Sequence, residues 1–321
     1  MGGVACFGET MLRLSPDFGE ALEGARTLNV HVGGSESNVA VALARLGVPA
    51  QWMSALPDNA LGRTIAGELR RHGVSLDGVA WRDGRAGLYF VDFGPPPRGT
   101  DVVYDRKSSA FAECPPDAID WSVLDGCSLL HVSGITPALS PQGAALFDRA
   151  REEAARRGLR VSADVNYRST LWPPDRARRS LDVRFSGVDL VFVGREDLLG
   201  LWPEAANAGP NPSDWAAEVR RLLACSTVVI TLGPDGAGAV TNSGWTEVPS
   251  VPVTVVDPLG RGDAFAAGYL YRWFGDGDPK SCLEYACAMA ALAQTFRGDL
   301  SFTTLGALER VLGDPGRDVR R

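Results

Sequence analysis

Short apolar runs alternate along this chain with longer segments in which apolar residues recur every three to four positions. The short runs have the length of buried strands, and the longer segments have the period of amphipathic helices. This alternation predicts an α/β fold of three layers, in which a mostly parallel sheet is covered by helices on both faces. The strand candidates are Val4–Gly8, Leu129–Ser133, Val161–Val165, Val188–Val193 and Thr227–Leu232.

Several of the predicted helices have readable ends. The segment Ser37–Leu46 is amphipathic and is followed by Gly47, a residue suited to the left-handed conformation that ends many helices. In the next helix we expect Asp58 to cap the first turn. Leu61, Ile65 and Leu69 share one face of that helix, which we expect to end near Gly73.

Two segments, at about 10–33 and 86–110, break the alternation with strand-like runs. They predict a small antiparallel β lid beside the core, with Pro95–Pro97 in a turn between two of its strands. The exposed edges of such strands commonly need cover, which favours a homo-oligomer. We expect one domain over residues 1–315 and a C-terminal tail over 316–321.

Composition and charge exclude several classes of function. The 321 residues include 39 acidic and 32 basic side chains, which gives a net charge of −7. Without a basic run, this balance argues against binding to nucleic acid or to a membrane surface. There is no 18-residue apolar run and no signal-peptide pattern at the start of the sequence, so we expect a cytoplasmic protein.

The positions of the lysines and cysteines argue against several known nucleotide-binding and metal-binding motifs. Lys107 and Lys280 are the only lysines and neither follows a glycine, so the sequence holds no G-x-x-x-x-G-K-[ST] phosphate loop. It also has no V-A-I-K element of a protein kinase. The six cysteines form no C-x-x-C pair, which favours reduced thiols over a zinc site.

The segment Asp257–Gly268 carries the strongest chemical signal. Gly260 and Gly262 flank Arg261 in a turn that runs into a helix beginning around Asp263. The free N–H groups and the dipole of such a helix start bind phosphate, or negative charge that develops on it. Asp263 is placed to act as a base beside that anion site. The alternative is that Asp263 only caps the helix.

Two further glycine-rich elements are weaker signals when taken alone. Gly33–Asn38 opens the predicted helix described above, and a plain turn explains it equally well. Thr231–Gly236 follows an apolar strand, and loops at the carboxyl ends of strands are where open α/β sheets bind ligands.

Together and in this order, the three elements resemble the ribokinase-like (PfkB-type) carbohydrate kinases over nearly the whole chain. The N-terminal signature of that family matches Gly33–Gly47, and its C-terminal signature matches Asp257–Asp263. The resemblance implies a ribokinase-like core, ATP and Mg²⁺ as cofactors, and a small sugar as acceptor. It implies that Asp263 accepts the proton of the acceptor hydroxyl.

The resemblance also assigns residues to the phosphoryl group and to the nucleotide. The transferring phosphoryl group is expected at the backbone of Gly260, Arg261 and Gly262. The residues expected to border the nucleotide are Thr231, Gly233, Gly236, Gly260 and Gly262.

Further stretches, Gly87–Tyr89, Tyr104–Arg106 and Asp164–Arg168, are similar to the branch of this family that phosphorylates 2-keto-3-deoxygluconate. A 2-keto acid needs a cation for its carboxylate, and arginine binds carboxylates in a bidentate manner. A solvated surface charge is the alternative for each arginine. The resemblance implies substrate contacts from Gly34, Asn38, Tyr89, Tyr104, Arg106, Arg168 and Asp263.

The sequence departs from the family pattern at two positions. Arg261 stands where the family has alanine; pointing outward it is compatible with catalysis, whereas pointing inward it would fill the phosphate site. The N-x-x-E motif is reduced to Val193–Glu196, which lacks the asparagine. We still expect Glu196 to order water around Mg²⁺.

We therefore predict an ATP-dependent kinase that phosphorylates the C6 hydroxyl of 2-keto-3-deoxygluconate. The alternatives are a kinase of the same family for fructose, ribose or the galactonate-derived keto acid, and a catalytically silent homologue that binds sugar acid or nucleotide.

Overall fold

The computed structural model of the protein describes residues 2–94, 97–275 and 277–313. Two prolines of the expected turn, Pro95 and Pro96, lie outside the described residues. The expected tail over 316–321 also lies outside them, as does the end of the expected domain.

The described residues form thirteen strands, and the five strand candidates lie among them within a few residues of their expected bounds. The strands are β1 Gly3–Phe7, β2 Met11–Ser15, β3 Asn29–Gly33, β4 Ala50–Pro57, β5 Val79–Arg82, β6 Leu88–Gly94, β7 Gly99–Asp105, β8 Cys127–Ser133, β9 Arg160–Asp164, β10 Leu190–Gly194, β11 Thr227–Thr231, β12 Ala237–Thr241 and β13 Gly244–Val248.

Nine of these strands form one large sheet in the order β13-β12-β11-β10-β9-β8-β1-β4-β5. All pairings from β11 to β5 are parallel, and β12 and β13 add an antiparallel hairpin at one edge. The expected α/β class with a mostly parallel sheet is confirmed. The carboxyl ends of the parallel strands therefore lie along one edge, where ligands bind in such sheets.

Ten α-helices accompany the sheet within the described part of the chain. They are α1 Ser35–Arg45, α2 Ala60–Arg71, α3 Ile135–Leu139, α4 Pro141–Arg156, α5 Pro174–Arg184, α6 Arg195–Leu201, α7 Pro212–Leu223, α8 Arg261–Phe274, α9 Pro279–Ala293 and α10 Leu305–Gly313.

Both faces of the sheet are buried, because successive residues of each strand point into different apolar cores. In β1, Val4 and Cys6 join the core shared with α1, α2, α8 and α9, whereas Ala5 and Phe7 join the core shared with α4 to α7. The three expected layers are thus helices, sheet and helices.

The second predicted helix differs in detail from its prediction. The cap of α2 is Asn59, whose side chain accepts from the N–H groups of Leu61 and Gly62; Asp58 instead pairs with Arg63 on the surface. Leu61 is 44% exposed. The expectation for Asp58 was wrong, because the neighbouring Asn59 caps the helix. On the expected face, Ile65 and Leu69 are buried, whereas Leu61 lies at the surface in the first turn.

A small four-stranded sheet in the order β3-β2-β6-β7 is the expected β lid. The pairs β2–β3 and β6–β7 are antiparallel, and the central pair β2–β6 is parallel. The expectation of a homo-oligomer built on its edges stays a prediction. Within the described ranges, no helix is long and apolar enough to cross a membrane.

Candidate active site

The start of α8 is shaped by a glycine in the left-handed conformation. Gly260 has a φ of 76° and precedes the first helical residue, Arg261. A Cβ at this position would collide with the carbonyl oxygen of Asp299, so both the conformation and the space require glycine. The helix begins two residues before the expected start, which places Asp263 inside the first turn. The first backbone N–H groups of the helix have no acceptor within it.

Asp263 is held between two helices. It is 8% exposed, and its carboxylate accepts hydrogen bonds from Ser35 Oγ at 2.8 Å and from Asn38 Nδ2 at 2.7 Å. Both donors lie in the first turns of α1. Because this carboxylate is bound by side chains of another helix, it does not serve as the cap of its own.

Burial raises the pKa of Asp263 to about 6, against the opposing effects of the hydrogen bonds from Asn38 and Ser35 and of the charge of Arg168. The carboxylate is therefore ionised at neutral pH and takes up a proton in the mildly acidic range. This is the behaviour of a general base that works near neutral pH.

Asp263 lies in the wall of a cavity of about 140 Å³, which we call the small cavity. The small sheet supplies one side of it, and the starts of α1 and α8 supply another. The seven residues expected to bind the substrate all line this cavity: Gly34, Asn38, Tyr89, Tyr104, Arg106, Arg168 and Asp263.

The two expected carboxylate-binding arginines differ in their surroundings. Arg106 is 7% exposed and pairs with the buried carboxylate of Glu9 at 2.5 and 2.8 Å. Ser109 donates to the same carboxylate. Arg168 is exposed and, among the described residues, forms no ion pair. Arg106 is thus largely neutralised by Glu9, whereas Arg168 keeps its guanidinium group out of any direct ion pair with the described residues.

Two tyrosines of the small sheet stack over the small cavity. The rings of Tyr89 and Tyr104 have centroids 5.9 Å apart and planes inclined by 24°. The first ring is buried and the second is half-buried. Since they come from the paired strands β6 and β7, the register of that hairpin fixes them opposite each other.

A second cavity of about 670 Å³, the large cavity, lies on the other side of the α8 N-terminus. The end of β11 supplies Thr231 to its wall, and the loop that follows supplies Gly233 and Gly236. This volume is in the range of pockets that hold a nucleotide-sized ligand. Its lining also includes Glu196, Arg261, Gly262 and the apolar residues Val251, Phe265 and Ala290.

The residues expected at the phosphoryl group divide between the two cavities. Gly260 and Asp263 line the small cavity, whereas Arg261 and Gly262 line the large cavity. Gly260, expected also at the nucleotide, thus faces the other side of the helix start. The exposed side chain of Arg261 lies on the large-cavity side and does not fill the small cavity. One helix N-terminus therefore separates the two cavities and reaches into both.

Several residues of the site were missed by sequence reasoning. Arg13 of β2 is 1% exposed and pairs with Asp257 at 2.7 Å and with Asp299 at 2.8 Å. Asp257 also accepts from the N–H groups of Leu259 and Gly298. This cluster ties the small sheet to the loop before α8. Its signal in the sequence was a single arginine within the apolar run Met11–Ser15.

A family model described as pfkB family carbohydrate kinase matches residues 1–303. The 2-dehydro-3-deoxygalactonokinase of Haloferax volcanii is 39% identical over 318 residues, which cover 98% of each chain. The 2-dehydro-3-deoxygluconokinase of Thermoproteus tenax is 32% identical over 93% of this chain and 90% of its own. "2-Dehydro" and "2-keto" denote the same group.

Among solved structures, the 2-dehydro-3-deoxygluconokinase of Thermotoga maritima superposes with a TM-score of 0.88. It is 32% identical to this chain, and the match covers 98% of this chain and all of the other. The expected three-layer fold is confirmed by this likeness.

Proposed function

Because this chain belongs to the pfkB family of carbohydrate kinases, we propose that it transfers the γ-phosphoryl group of ATP to the C6 hydroxyl of a 2-keto-3-deoxy sugar acid. Its general activity is that of a sugar kinase. One observation carries the finer proposal: the base Asp263 and the unpaired cation Arg168 line the same small cavity. A six-carbon acid can place its carboxylate at Arg168 and its terminal hydroxyl at Asp263.

In the proposed reaction, the residues around the site have different roles. The ionised carboxylate of Asp263 orients the C6 hydroxyl and accepts its proton as the oxygen attacks phosphorus. Asn38 and Ser35 hold that carboxylate in place through their hydrogen bonds. The N–H groups at the start of α8 stabilise the negative charge on the transferring phosphoryl group. Phosphoryl transfer requires mainly such alignment and charge stabilisation.

The large cavity is proposed as the ATP site. Its loop from Thr231 to Gly236 turns through two glycines in the left-handed region, Gly233 with a φ of 64° and Gly236 with a φ of 107°. This conformation brings the backbone close to a bound ligand without side chains between. The nucleotide phosphates would then end at the start of α8, where Arg261 and Gly262 lie.

The acidic residues beside the large cavity fit a magnesium ion. Burial and the negative charges of Asp263 and Asp197 raise the pKa of Asp164 to about 8. Glu196 and Asp197 lie in the first turn of α6. Neighbouring carboxylates are suited to Mg²⁺, which binds carboxylates and keeps several waters.

Within the described ranges no group of three such side chains encloses a metal site, so Asp164, Asp197 and Glu196 would hold the ion through water and the nucleotide phosphates. When bound, the ion neutralises phosphate charge.

The acceptor is expected to be the gluconate-derived keto acid, as the sequence resemblance implies. The galactonate-derived acid, its C4 epimer, is the second candidate, because the Haloferax relative is a galactonokinase. Both epimers share the carboxylate and the C6 hydroxyl on which the proposal rests.

The acidic substrate is tested by replacing Arg168 with alanine. The variant loses a charge-assisted hydrogen bond worth about 1.5–3 kcal/mol, so KM for the keto acid should rise roughly tenfold to hundredfold. A coupled ADP-release assay of wild type and variant on both keto acids, fructose and ribose measures this. Arg63→Ala, which removes an exposed arginine remote from both cavities, is the control and should match wild type. A wild type that prefers fructose or ribose would overturn the proposal.

Arg261→Ala tests whether the unusual residue of the anion loop blocks the site. Because its side chain lies in the large cavity and is exposed, we expect kcat to stay within about tenfold of wild type. ATP binding should weaken by at most about 1–2 kcal/mol, the scale of one lost contact to phosphate. Steady-state kinetics of wild type and variant measure kcat, and titration with ATP measures the binding affinity. An inactive wild type that becomes active in Arg261→Ala would instead identify a silent homologue.

A further inference from the structure

Glu36 is buried in the wall of the small cavity, and the proposed mechanism assigns it no role. It is the second residue of α1 and is 1% exposed. A Cβ on Gly8 would collide with its carboxyl group, so this group packs directly against the backbone at the end of β1. The glycine at position 8 is what leaves room for the carboxyl group there.

The carboxyl group of Glu36 lacks a full set of partners. Its Oε1 atom is buried and, among the described residues, has no hydrogen-bond partner. The hydroxyl of Ser133, at the end of β8, lies beside the carboxyl group and favours its ionised form. A buried oxygen without a partner is costly, and in a cavity wall a ligand hydroxyl is the group that can satisfy it.

The charges around Glu36 come from other residues that line the small cavity. Burial raises its pKa to about 7; the charge of Asp263 on α8 raises it further, and that of Arg106 after β7 lowers it. The nearby Cys6 thiol of β1 has a pKa well above its usual range and is neutral. Glu36 therefore lies within electrostatic reach of the base Asp263 and of Arg106, which is paired with Glu9.

We propose that Glu36 is a further substrate-binding residue, which hydrogen bonds the C4 hydroxyl of the sugar acid and thereby distinguishes its C4 epimers. The inference rests on the proposed function. In a 2-keto-3-deoxy acid, C3 carries no hydroxyl, and C5 adjoins the reacting C6 at Asp263. The C4 hydroxyl is thus the hydroxyl at the middle of the chain, and it is the one that we assign to Glu36.

The protonated carboxyl group is the form that suits this contact. A bound carboxylate substrate adds negative charge to the cavity and raises the pKa of Glu36 above its value in the empty site. A neutral carboxyl group both donates and accepts a hydrogen bond. Glutamine offers the same two functions without titrating, whereas leucine offers neither at similar volume.

The test compares Glu36→Gln and Glu36→Leu with wild type on the two C4-epimeric keto acids at pH 6 and pH 8. For Glu36→Leu we expect KM for the preferred epimer to rise at least tenfold and the epimer ratio of kcat/KM to fall to about threefold or less. The effect should appear in KM for the acid, with kcat and KM for ATP changed less than about threefold. Glu153→Gln, a change at another glutamate that is 1% exposed but lies on α4 outside the small cavity, should not alter the ratio.

Glu36→Gln is expected to retain the binding that Glu36→Leu loses, because glutamine can still donate and accept a hydrogen bond. At pH 6 its KM should lie within about threefold of wild type, and at pH 8 it should bind the acid more tightly than wild type, whose Glu36 is then ionised in the free enzyme. An unchanged epimer ratio in Glu36→Leu, or a Glu36→Gln variant as impaired as the leucine variant, would overturn the inference. If Glu36→Leu does not fold, the comparison of wild type with Glu36→Gln decides. A KM for the acid that depends on pH equally in these two proteins would overturn the inference. A wild type inactive on both acids would refute the proposed function itself.

Discussion

Asp263→Asn is expected to lower kcat by at least about 100-fold, the scale on which general bases contribute. Asparagine keeps the size of the side chain; its carbonyl oxygen can accept from Asn38, and its NH2 group can donate to the hydroxyl of Ser35, so the fold and ATP binding should survive. What it loses is the capacity to accept the proton of the C6 hydroxyl. Turnover under saturating substrates, with ATP affinity and melting temperature measured alongside, tests this prediction.

The pH profile gives a second readout of the same residue. The pKa of Asp263 is about 6, and only the ionised form can accept a proton. The kcat/KM of wild type, which reports the free enzyme, should therefore rise with pH through about 6, and this rise should be absent in the asparagine variant. Asp125→Asn, on the surface beside Arg157, serves as the control. Near-normal turnover in Asp263→Asn would contradict the proposed mechanism.

Arg13→Met is expected to destabilise the protein by about 3–5 kcal/mol, because it leaves the buried carboxylates of Asp257 and Asp299 without their cation. The methionine fills much of the same space, so the lost charge dominates the effect. Urea unfolding followed by circular dichroism measures the free energy of unfolding. Arg63→Met removes an exposed partner of Asp58 and should change that free energy by less than about 0.5 kcal/mol.

The sign of the pH effect separates lost charge from lost packing in this variant. Burial already raises the pKa of Asp299, and Arg13 opposes that rise. Without the arginine, the folded-state pKa of the acid lies further above its unfolded value. Stability of the variant is then lost as pH rises, so the deficit relative to wild type should be larger at pH 8 than at pH 5. A deficit independent of pH, or no larger than that of Arg63→Met, would refute the charge explanation.

The sequence predicted the fold well, because the elements that define it carry local signals. Buried parallel strands appear as continuous apolar runs, and β1, β8, β9, β10 and β11 were each located in this way. The turn at Gly260 was also readable, since a glycine-rich segment before a helix has few structural uses. Helix starts were less exact: α8 begins at Arg261 and α2 is capped by Asn59, because neighbouring polar residues compete for one cap.

The candidate site was predictable only as far as motifs mark individual residues. The family signatures identified Asp263 and Asn38, and the stretch Asp164–Arg168 identified Arg168; the fold brings all three to one cavity. Ion pairs between residues far apart in the sequence have no motif that reveals them. The neutralisation of Arg106 by Glu9 joins positions 97 residues apart, and the link from Arg13 to Asp257 spans 244. Glu36 was hidden for another reason, since a glutamate near a helix start is ordinarily exposed and favoured there by the helix dipole.

The central claim is that the phosphoryl group is transferred to the C6 hydroxyl of a 2-keto-3-deoxy sugar acid, and phosphorus–proton correlation NMR of the product tests it most directly. Wild-type enzyme, ATP, Mg²⁺ and the gluconate-derived or galactonate-derived acid are incubated until ADP release stops. The account predicts one new phosphomonoester signal, equimolar with ADP and correlated with the two protons on C6. A correlation to the proton on C4 or C5, or ADP formed without any sugar phosphate, would contradict it.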